Sequence, residues 1–478
     1  MTANAMETSL NYIGGEWVDA TEHDVVRLPY DDTPVGRVPR AGTGAVDQAV
    51  AAARRASAAM RELANCERAD LLMRVHDLMQ RDLAEFGRLI CAETGKPVKE
   101  AGIEAERCLS TLFAAAHEAR QVRGEVVPMD FAAMGKGRMA VTVREPVGVI
   151  GCITPFNFPL NLGLHKIGPA LAAGNTVVHK PASKTPLSAS RLARTMEEAG
   201  VPKGAYNLIT GGGSTIGAAL AAHADVAMLT FTGSAEVGRT IKARSGLKKV
   251  TLELGNNSAV IVEPDADLAT AAVRTVQGAF ANSGQVCISV QRVFVQERVA
   301  DEFIDRVKAA TEALRIGHPY EDSTDISSLI DETEAVRVEN WIAEAVSRGG
   351  VVVTGGRRSF ATIAPCVLTG VPDSCDISCR EAFGPVVAIY RYRELDEAIQ
   401  RANATPYGLQ AGIFTNDLGR AFRAARRIEV GGVMINDVPA WRADHMPYGG
   451  VKESGMGREG PKFAIEEMTE LKLICWKV

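Results

Sequence analysis

Two α/β domains, each a doubly wound parallel sheet, are the fold class this sequence predicts, with a small β ribbon set apart from them. Three observations carry that expectation. The chain has 478 residues, too many for one ordinary core. From Gly148 onward, short apolar strands alternate with amphipathic helices. A second series of the same kind runs from Ser258 to about Asn436.

In chain order, the stretch from Gly44 to Val122 is rich in alanine, leucine, arginine and glutamate. Its apolar residues recur at helical spacing, as in Ala45-Val46 through Leu63 and Leu71-Leu72 through Leu89, predicting helices with polar outer faces. Gly124 to Arg144 alternates instead, and Arg138–Arg144 has the period of a half-exposed strand, which suits a projecting ribbon. Strands follow at Val149–Ile153, Thr176–His179, Tyr206–Ile209 and Ala227–Phe231, alternating with helices at Leu160–Ala173, Ser188–Ala199, Ile216–Ala222 and Val237–Ala243. Units of this length imply parallel strands with right-handed crossovers, the arrangement that binds nucleotides at the carboxyl ends of its strands. The second series includes Arg292–Val295, Val351–Val353, Val386–Tyr390 and Gly412–Thr415. No low-complexity linker separates the two series, so a tight hinge is expected near Leu254-Gly255 and a site in the cleft beside it.

Composition narrows the partners. A formal charge of -5, from 53 basic and 58 acidic residues without long runs, argues against a nucleic-acid surface or a polybasic membrane surface. Small molecules are the remaining default. Nine scattered cysteines do not form the dense framework of a small secreted domain, so reduced thiols and a cytoplasmic location are expected. The start lacks a basic segment followed by an apolar one, and no run of roughly 18 apolar residues is present to span a bilayer.

The usual Gly-x-Gly-x-x-Gly fingerprint after the first strand is missing. In its place, Phe231-Thr232-Gly233-Ser234-Ala235-Glu236-Val237-Gly238 reads as a strand, a glycine turn and a helix whose first amides can face a phosphate. A purely structural turn fits the same residues. The strand Thr176–His179 delivers Lys180 at its carboxyl end, where a lysine suits ribose hydroxyls or a phosphate, and where a surface lysine fits equally well.

Cys287 follows a helix expected over Ala266–Ala281 and a turn at Gly284, unlike an inert thiol in an apolar strand. Asn157 sits in Thr154-Pro155-Phe156-Asn157-Phe158-Pro159, a stiffened strand-to-helix turn; it suits an oxyanion donor or a helix cap. Glu253, among apolar residues in Thr251-Leu252-Glu253-Leu254-Gly255, is either a base of raised pKa or a strand residue facing solvent. Glu381-Ala382-Phe383-Gly384-Pro385 places a carboxylate and an aromatic on one side of an extended segment, or leaves a plain loop acid beside a core aromatic. A nucleophile, a base and an oxyanion donor together are the requirements of thiolate attack on a carbonyl.

These motifs, with Lys180-Pro181, Phe231-Thr232-Gly233-Ser234 and Gly284-Gln285-Val286-Cys287, stand in the order of the aldehyde dehydrogenase superfamily, which the chain resembles over essentially its whole length. One departure is Asn256, where a second glycine commonly follows Gly255. The resemblance implies a first, cofactor-binding domain of residues 1–123 and 145–254. A catalytic domain of 255–436 follows, then a substrate-side loop of 437–460 returning to the first domain. Segments 124–144 and 461–478 look like the family's subunit-pairing elements, for a homodimer or homotetramer.

By the same resemblance Cys287 attacks an aldehyde, and the oxyanion is held by the Asn157 amide and the Cys287 main-chain N–H. Hydride passes to NAD or NADP, and Glu253 activates the water that hydrolyses the thioester. Lys180 and Glu381 look like the ribose-holding residues, Phe383 like the residue beside the nicotinamide ribose, and Gly233 with Ser234 like the pyrophosphate turn; Phe156 and Leu254 complete the cofactor side. Family members strict for NAD often carry a glutamate three residues after the lysine. Ser183, followed by Lys184, stands there, so both cofactors are expected to bind. The segment Val438–Glu459 resembles the semialdehyde, lactaldehyde and phosphonoacetaldehyde branches, implying a small anionic aliphatic aldehyde. Arg107 and Arg442 are the candidates to meet its acidic group, with His445 and Phe158 beside them. An ordinary ion pair fits each arginine as well.

Two other readings stand beside this one. An acylating enzyme would pass the acyl group to coenzyme A, which needs no water-activating carboxylate and so leaves Glu253 unexplained. A silent nucleotide-binding or structural homologue would not require Asn157, Glu253 and Cys287 together. No metal is expected, because the eight histidines form no paired ligand spacing.

Overall fold

In the computed structural model, which describes residues 7–478, the strand Val149–Ile153 is buried at every position, and for that reason its sequence is apolar without alternation. It is central in an eight-stranded sheet. The order is Gly455–Met456, Lys249–Glu253, Met228–Thr232, Val149–Ile153, Thr176–Lys180, Tyr206–Leu208, Asn11–Ile13 and Glu16–Val18. The five strands from Lys249–Glu253 to Tyr206–Leu208 are parallel, and the outer ones pair antiparallel. Ile150 and Cys152 pack under the helices Asn65–Arg81, Leu83–Thr94, Val98–Ala119, Asn161–Ala172 and Leu187–Glu198. Val149 and Ile153 face the other way, under Thr43–Glu62, Ala218–Ala222 and Ala235–Arg244. Alternate residues of one strand thus feed two cores, the meaning of doubly wound.

The chain leaves this sheet at Glu253 and enters a second at Ser258. The second sheet has seven strands: Val351–Thr354, Cys366–Thr369, Val386–Tyr392, Val290–Gln296, Ser258–Val262, Gln410–Phe414 and Gly432–Ile435. All are parallel except at the Val351–Thr354 edge. Ala259 and Ile261 contribute to one core, Val260 and Val262 to the other. With these two sheets and helices on both faces of each, the architecture is the α/β class expected.

A third, three-stranded sheet stands apart. Arg138–Pro146 pairs antiparallel with Thr469–Lys477 along its whole length, from Pro146 opposite Thr469 to Arg138 opposite Lys477, and Val126–Val127 adds the other edge. Between its first two strands come short 3₁₀ turns, Met129–Phe131 and Ala133–Gly135. The ribbon leaves Phe131 95% and Met134 90% exposed, along with Leu471, Leu473, Ile474 and Trp476.

Several details differ from the sequence expectation. Residues 461–478 do not act as one element: the helix Pro461–Glu467 buries Ala464 and Ile465 in the first core, and only the strand from Thr469 belongs to the ribbon. The strands Asn11–Ile13 and Glu16–Val18, too short to show alternation, extend the first sheet. The helix expected from Ile216 begins with a π-helical turn, Gly213–Gly217, and is regular only over Ala218–Ala222.

Candidate active site

Cys287 is aimed by an unusual turn. Asn282, Ser283 and Gly284 all have positive φ, at 49°, 54° and 74°. Only glycine adopts that conformation without cost, so the two non-glycine residues need fixing from outside. Glu100 provides part of it, its carboxylate accepting from the Asn282 N–H at 2.8 Å, and Ser283 Oγ donates to the Ser327 carbonyl at 3.0 Å. Gly284 is required on a second count, since a Cβ there would run into the Gly384 carbonyl. The half-buried Cys287 emerges from this turn with Sγ 2.9 Å from the Tyr448 hydroxyl. Burial pushes its thiol up to about 12; the Tyr448 hydrogen bond and the Arg442 charge act in the opposite direction.

Asn157 is buried and does not cap a helix: the helix Asn161–Ala172 has its first amides satisfied by Glu104 Oε1, which accepts from Leu160 and Asn161 N–H at 3.1 and 3.2 Å. The Asn157 side-chain amide instead donates to the Gln285 carbonyl at 2.9 Å, two residues from Cys287. One of its two N–H groups is spent in this way and one remains. The Cys287 main-chain N–H has no acceptor among the described residues.

Glu253 does not face solvent. It is 3% exposed at the carboxyl end of its strand, and neither carboxylate oxygen has a hydrogen-bond partner among the described residues. Burial, reinforced by the charge of Glu459, holds its carboxyl well above the usual carboxylate range. Gly449 gives it room, because a Cβ at that position would stand 2.9 Å from Glu253 Oε1. Glu459 is itself satisfied: Lys166 Nζ donates to it at 2.6 Å and Arg442 Nη2 at 3.2 Å, in surroundings where none of the three side chains exceeds 6% exposure. Those two cations outweigh the burial that would raise Glu459, and keep it ionised.

The candidate cofactor residues gather at the carboxyl ends of the parallel strands. Lys180 closes Thr176–Lys180 as a buried residue, not a surface one. Its Nζ donates only to the Pro181 carbonyl, at 2.7 Å, and burial pulls it down to about 8. An ammonium has three donors, so a buried lysine with one bond has donors to offer a ligand. Ser183 Oγ donates to the Gly211 carbonyl at 2.9 Å. Gly233 N–H donates to the Glu253 main-chain carbonyl at 3.0 Å, and Ser234 Oγ caps the helix Ala235–Arg244 by accepting from Val237 N–H. Leu254 is buried against Gly238, where any Cβ would collide with it. Glu381 accepts from the Asn256 N–H at 3.0 Å and is pushed by burial up to about 7. Phe383, with φ of 45°, meets Phe156 edge to face at 5.7 Å between centroids. Strand ends, a capped helix start, the buried Lys180 and the half-buried Glu381 with unspent polar atoms suit a dinucleotide. Asn256 turns its side chain toward the second sheet, donating to Ser258 Oγ at 2.6 Å.

On the substrate side both arginines are ion-paired, the ordinary alternative that the sequence also allowed. Arg107 is paired with Asp444, Nη2 to Oδ1 at 2.7 Å, and Asp444 also accepts from Asn161 and approaches His165 Nε2 at 3.1 Å. Its charge is therefore consumed in anchoring the loop. Arg442 is buried, lies 3.6 Å from the centroid of the Tyr448 ring and shares Glu459 with Lys166, but its Nε has no partner among the described residues. His445 is exposed, one residue along from the anchor. Phe158 lies under Lys96 Nζ, 3.9 Å from its ring centroid.

Sequence reasoning passed over Tyr448, Lys166, Glu459, Lys96 and Glu104. Nothing in the local sequence marks them as site residues, and nothing in periodicity pairs Lys166 with a carboxylate 293 positions away. Among the described residues no cluster of three or more His, Cys, Asp or Glu is placed to hold a metal ion, and no helix is long and apolar enough to cross a membrane.

Comparison with known proteins identifies the family. The aldehyde dehydrogenase family model matches residues 17–474. A 3-sulfolactaldehyde dehydrogenase of Priestia aryabhattai is 49% identical over 463 residues, which cover 97% of this chain and 97% of that protein. The crystal structure of aldehyde dehydrogenase 21 from Physcomitrella patens, in complex with the reaction product succinate, superposes with a TM-score of 0.96 at 38% identity, covering 99% of both chains. A glyceraldehyde-3-phosphate dehydrogenase from Methanocaldococcus jannaschii, complexed with NADP, gives 0.92 at 39% identity, covering 96% of this chain and 100% of that one.

Proposed function

The chain belongs to the aldehyde dehydrogenase family, and on that premise we propose that it oxidises a small aldehyde bearing an acidic group to the carboxylic acid with NAD(P), through a thioester on Cys287. The observation that carries the substrate class is Arg442: a buried guanidinium with an unspent Nε, one aromatic ring away from the Cys287 sulfur. Lys166 and Arg442 share Glu459 and also face Glu253, so the group holds one positive charge more than it neutralises while burial keeps Glu253 protonated. An anion at the far end of a short aldehyde offsets that excess. The named relatives point the same way, since sulfolactaldehyde, succinate and glyceraldehyde 3-phosphate carry a sulfonate, a carboxylate and a phosphate.

In this reading Cys287 adds to the carbonyl carbon, and the new oxyanion is met by the free Asn157 N–H and the Cys287 main-chain N–H. When bound, the nicotinamide cofactor supplies the hydride acceptor. Lys180 and Glu381 would hold ribose hydroxyls, and Ser183 would stand beside the adenosine ribose. Gly233 and Ser234 take the pyrophosphate at the start of the helix Ala235–Arg244, and Phe156, Leu254 and Phe383 supply apolar walls. Glu253, kept proton-avid by burial, takes a proton from the water that hydrolyses the thioester. The exposed apolar ribbon suits pairing with further copies of the chain, as a homodimer or homotetramer of the cytoplasm.

A panel of short aldehydes ending in sulfonate, phosphate, carboxylate or a neutral group, each with NAD and with NADP, tests the reading by the appearance of reduced nicotinamide. The acidic aldehydes should exceed their neutral analogues in kcat/KM by about tenfold or more, and coenzyme A should add nothing. Equal kcat/KM for neutral analogues removes the anionic substrate class. A requirement for coenzyme A replaces hydrolysis by acyl transfer.

A further inference from the structure

Tyr448 has been given no role so far, although its hydroxyl is the side-chain group bonded to the Cys287 sulfur, at 2.9 Å. The residue is 2% exposed, so this contact is made away from bulk water. Its backbone is fixed in both directions by Glu459: Tyr448 N–H donates to the Glu459 carbonyl at 3.0 Å, and Glu459 N–H donates to the Tyr448 carbonyl at 2.7 Å. The Glu459 side chain in turn holds Arg442, whose guanidinium covers the Tyr448 ring. One residue thus places both the tyrosine and the cation above it.

We propose that Tyr448 is a further catalytic residue, its hydroxyl donating a hydrogen bond to the Cys287 thiolate, with Arg442 over the ring strengthening the donor. This rests on Cys287 being the nucleophile. A neutral thiol and a hydroxyl can bond in either sense, but a thiolate has no proton, so the hydroxyl must then donate. A guanidinium on the ring face draws electron density from the phenol and makes its O–H a better donor. The charged groups facing Cys287 divide cleanly. Tyr448 and Arg442 favour the thiolate, while burial and the carboxylates of Glu381 and Glu253 oppose it. Tyr448 keeps its own proton, since burial and the neighbouring Cys287 hold its ionisation well above that of an ordinary tyrosine. It therefore acts as a donor and not as the base that removes the thiol proton.

The bond matters at two points in the cycle. It stabilises the sulfur anion before attack on the carbonyl carbon. It weakens while sulfur is bound to carbon, and re-forms when the carbon–sulfur bond of the tetrahedral hydrolysis intermediate breaks and the electron pair returns to sulfur. Tyr448→Phe removes the hydroxyl and leaves the ring under Arg442.

The test is the pH dependence of Cys287 alkylation by iodoacetamide, followed by mass spectrometry on the peptide carrying Cys287, so that the other thiols do not contribute. In Tyr448→Phe the alkylation rate at a fixed pH on the rising limb of the profile should fall by about tenfold, the loss of thiolate that follows when the midpoint rises by about one pH unit. As a second measurement, uniform replacement of tyrosine by 3-fluorotyrosine, a stronger phenolic donor, should lower the midpoint of the otherwise unaltered enzyme. Superimposable profiles for Tyr448→Phe and the parent, or no shift on fluorination, overturn the proposal. The functional reading fails separately: stoichiometric alkylation of Cys287 that leaves aldehyde oxidation intact removes Cys287 as nucleophile, whatever Tyr448 does to its midpoint.

Discussion

Lys96 Nζ donates to the main-chain carbonyl of Asn157 at 2.7 Å, and at the same distance to Glu104 Oε2, with both charged side chains fully buried. The loop that presents Asn157 is therefore held by an ion pair of the helical layer, and Glu104 uses its other oxygen on the helix that follows the loop. Removing one member of a buried pair leaves the other charge uncompensated, at a cost of about 3–5 kcal/mol. Lys96→Met should lower the unfolding free energy by that order, seen as a lower urea midpoint, and reduce kcat more than it raises KM, because the oxyanion donor is displaced and not the substrate pocket. An unchanged unfolding midpoint would contradict it.

Glu253 makes a pH prediction whose sign follows from its role. A base works only when ionised, and burial has raised the pH at which this carboxyl ionises. Turnover limited by hydrolysis should rise with pH through that displaced ionisation and level off above it. Glu253→Gln should lower steady-state turnover by about 10²–10⁴-fold and abolish the limb, while a stopped-flow burst of reduced nicotinamide in the first turnover survives. Loss of the burst together with turnover would move Glu253 from the water to the thiol.

The main lines of both domains were legible because buried parallel strands need uninterrupted apolar runs, and Val149–Ile153 and Ser258–Val262 have them. Asn157, Glu253 and Cys287 were legible as chemistry-bearing residues in constrained turns and strand ends. Their supports were not. Lys96 with Glu104, and Lys166 with Glu459, are charges buried by tertiary packing alone, and nothing in the local sequence marks them as buried. For Arg107 the sequence left a substrate contact and an ordinary ion pair both open, because nothing local reveals Asp444, 337 residues away, as its partner.

The two arginines should separate by experiment. Arg442→Ala should raise KM for acidic aldehydes by about ten- to a hundredfold, the worth of one charge-assisted contact, and should narrow the gap between acidic and neutral substrates. Arg107→Ala should act on acidic and neutral aldehydes alike, since Arg107 holds Asp444 and thereby the loop. If Arg107→Ala alone erases the preference for acidic aldehydes, its pairing with Asp444 is broken by substrate, and the assignment of the anion to Arg442 falls.

On the proposed reading, cofactor choice turns on Ser183 and its neighbour Lys184. Ser183 spends its hydroxyl on the Gly211 carbonyl and offers no carboxylate to a ribose, while the neighbouring Lys184 is 62% exposed and only loosely paired with Asp331, at 3.4 Å. On the proposed reading a 2′-phosphate would meet no negative charge at residue 183 and would have the exposed Lys184 beside it in the same turn. Ser183→Glu introduces a carboxylate that accepts from a 2′-hydroxyl and repels a 2′-phosphate, so specificity shifts through repulsion as well as attraction. The ratio of kcat/KM for NADP over NAD should fall by about tenfold or more in Ser183→Glu, with most of the change in KM for NADP. Lys184→Ala should lower the same ratio by a smaller factor, as expected for an exposed charge screened by salt. A Ser183→Glu enzyme with an unchanged ratio would mean that the adenosine ribose is read by residues away from this turn.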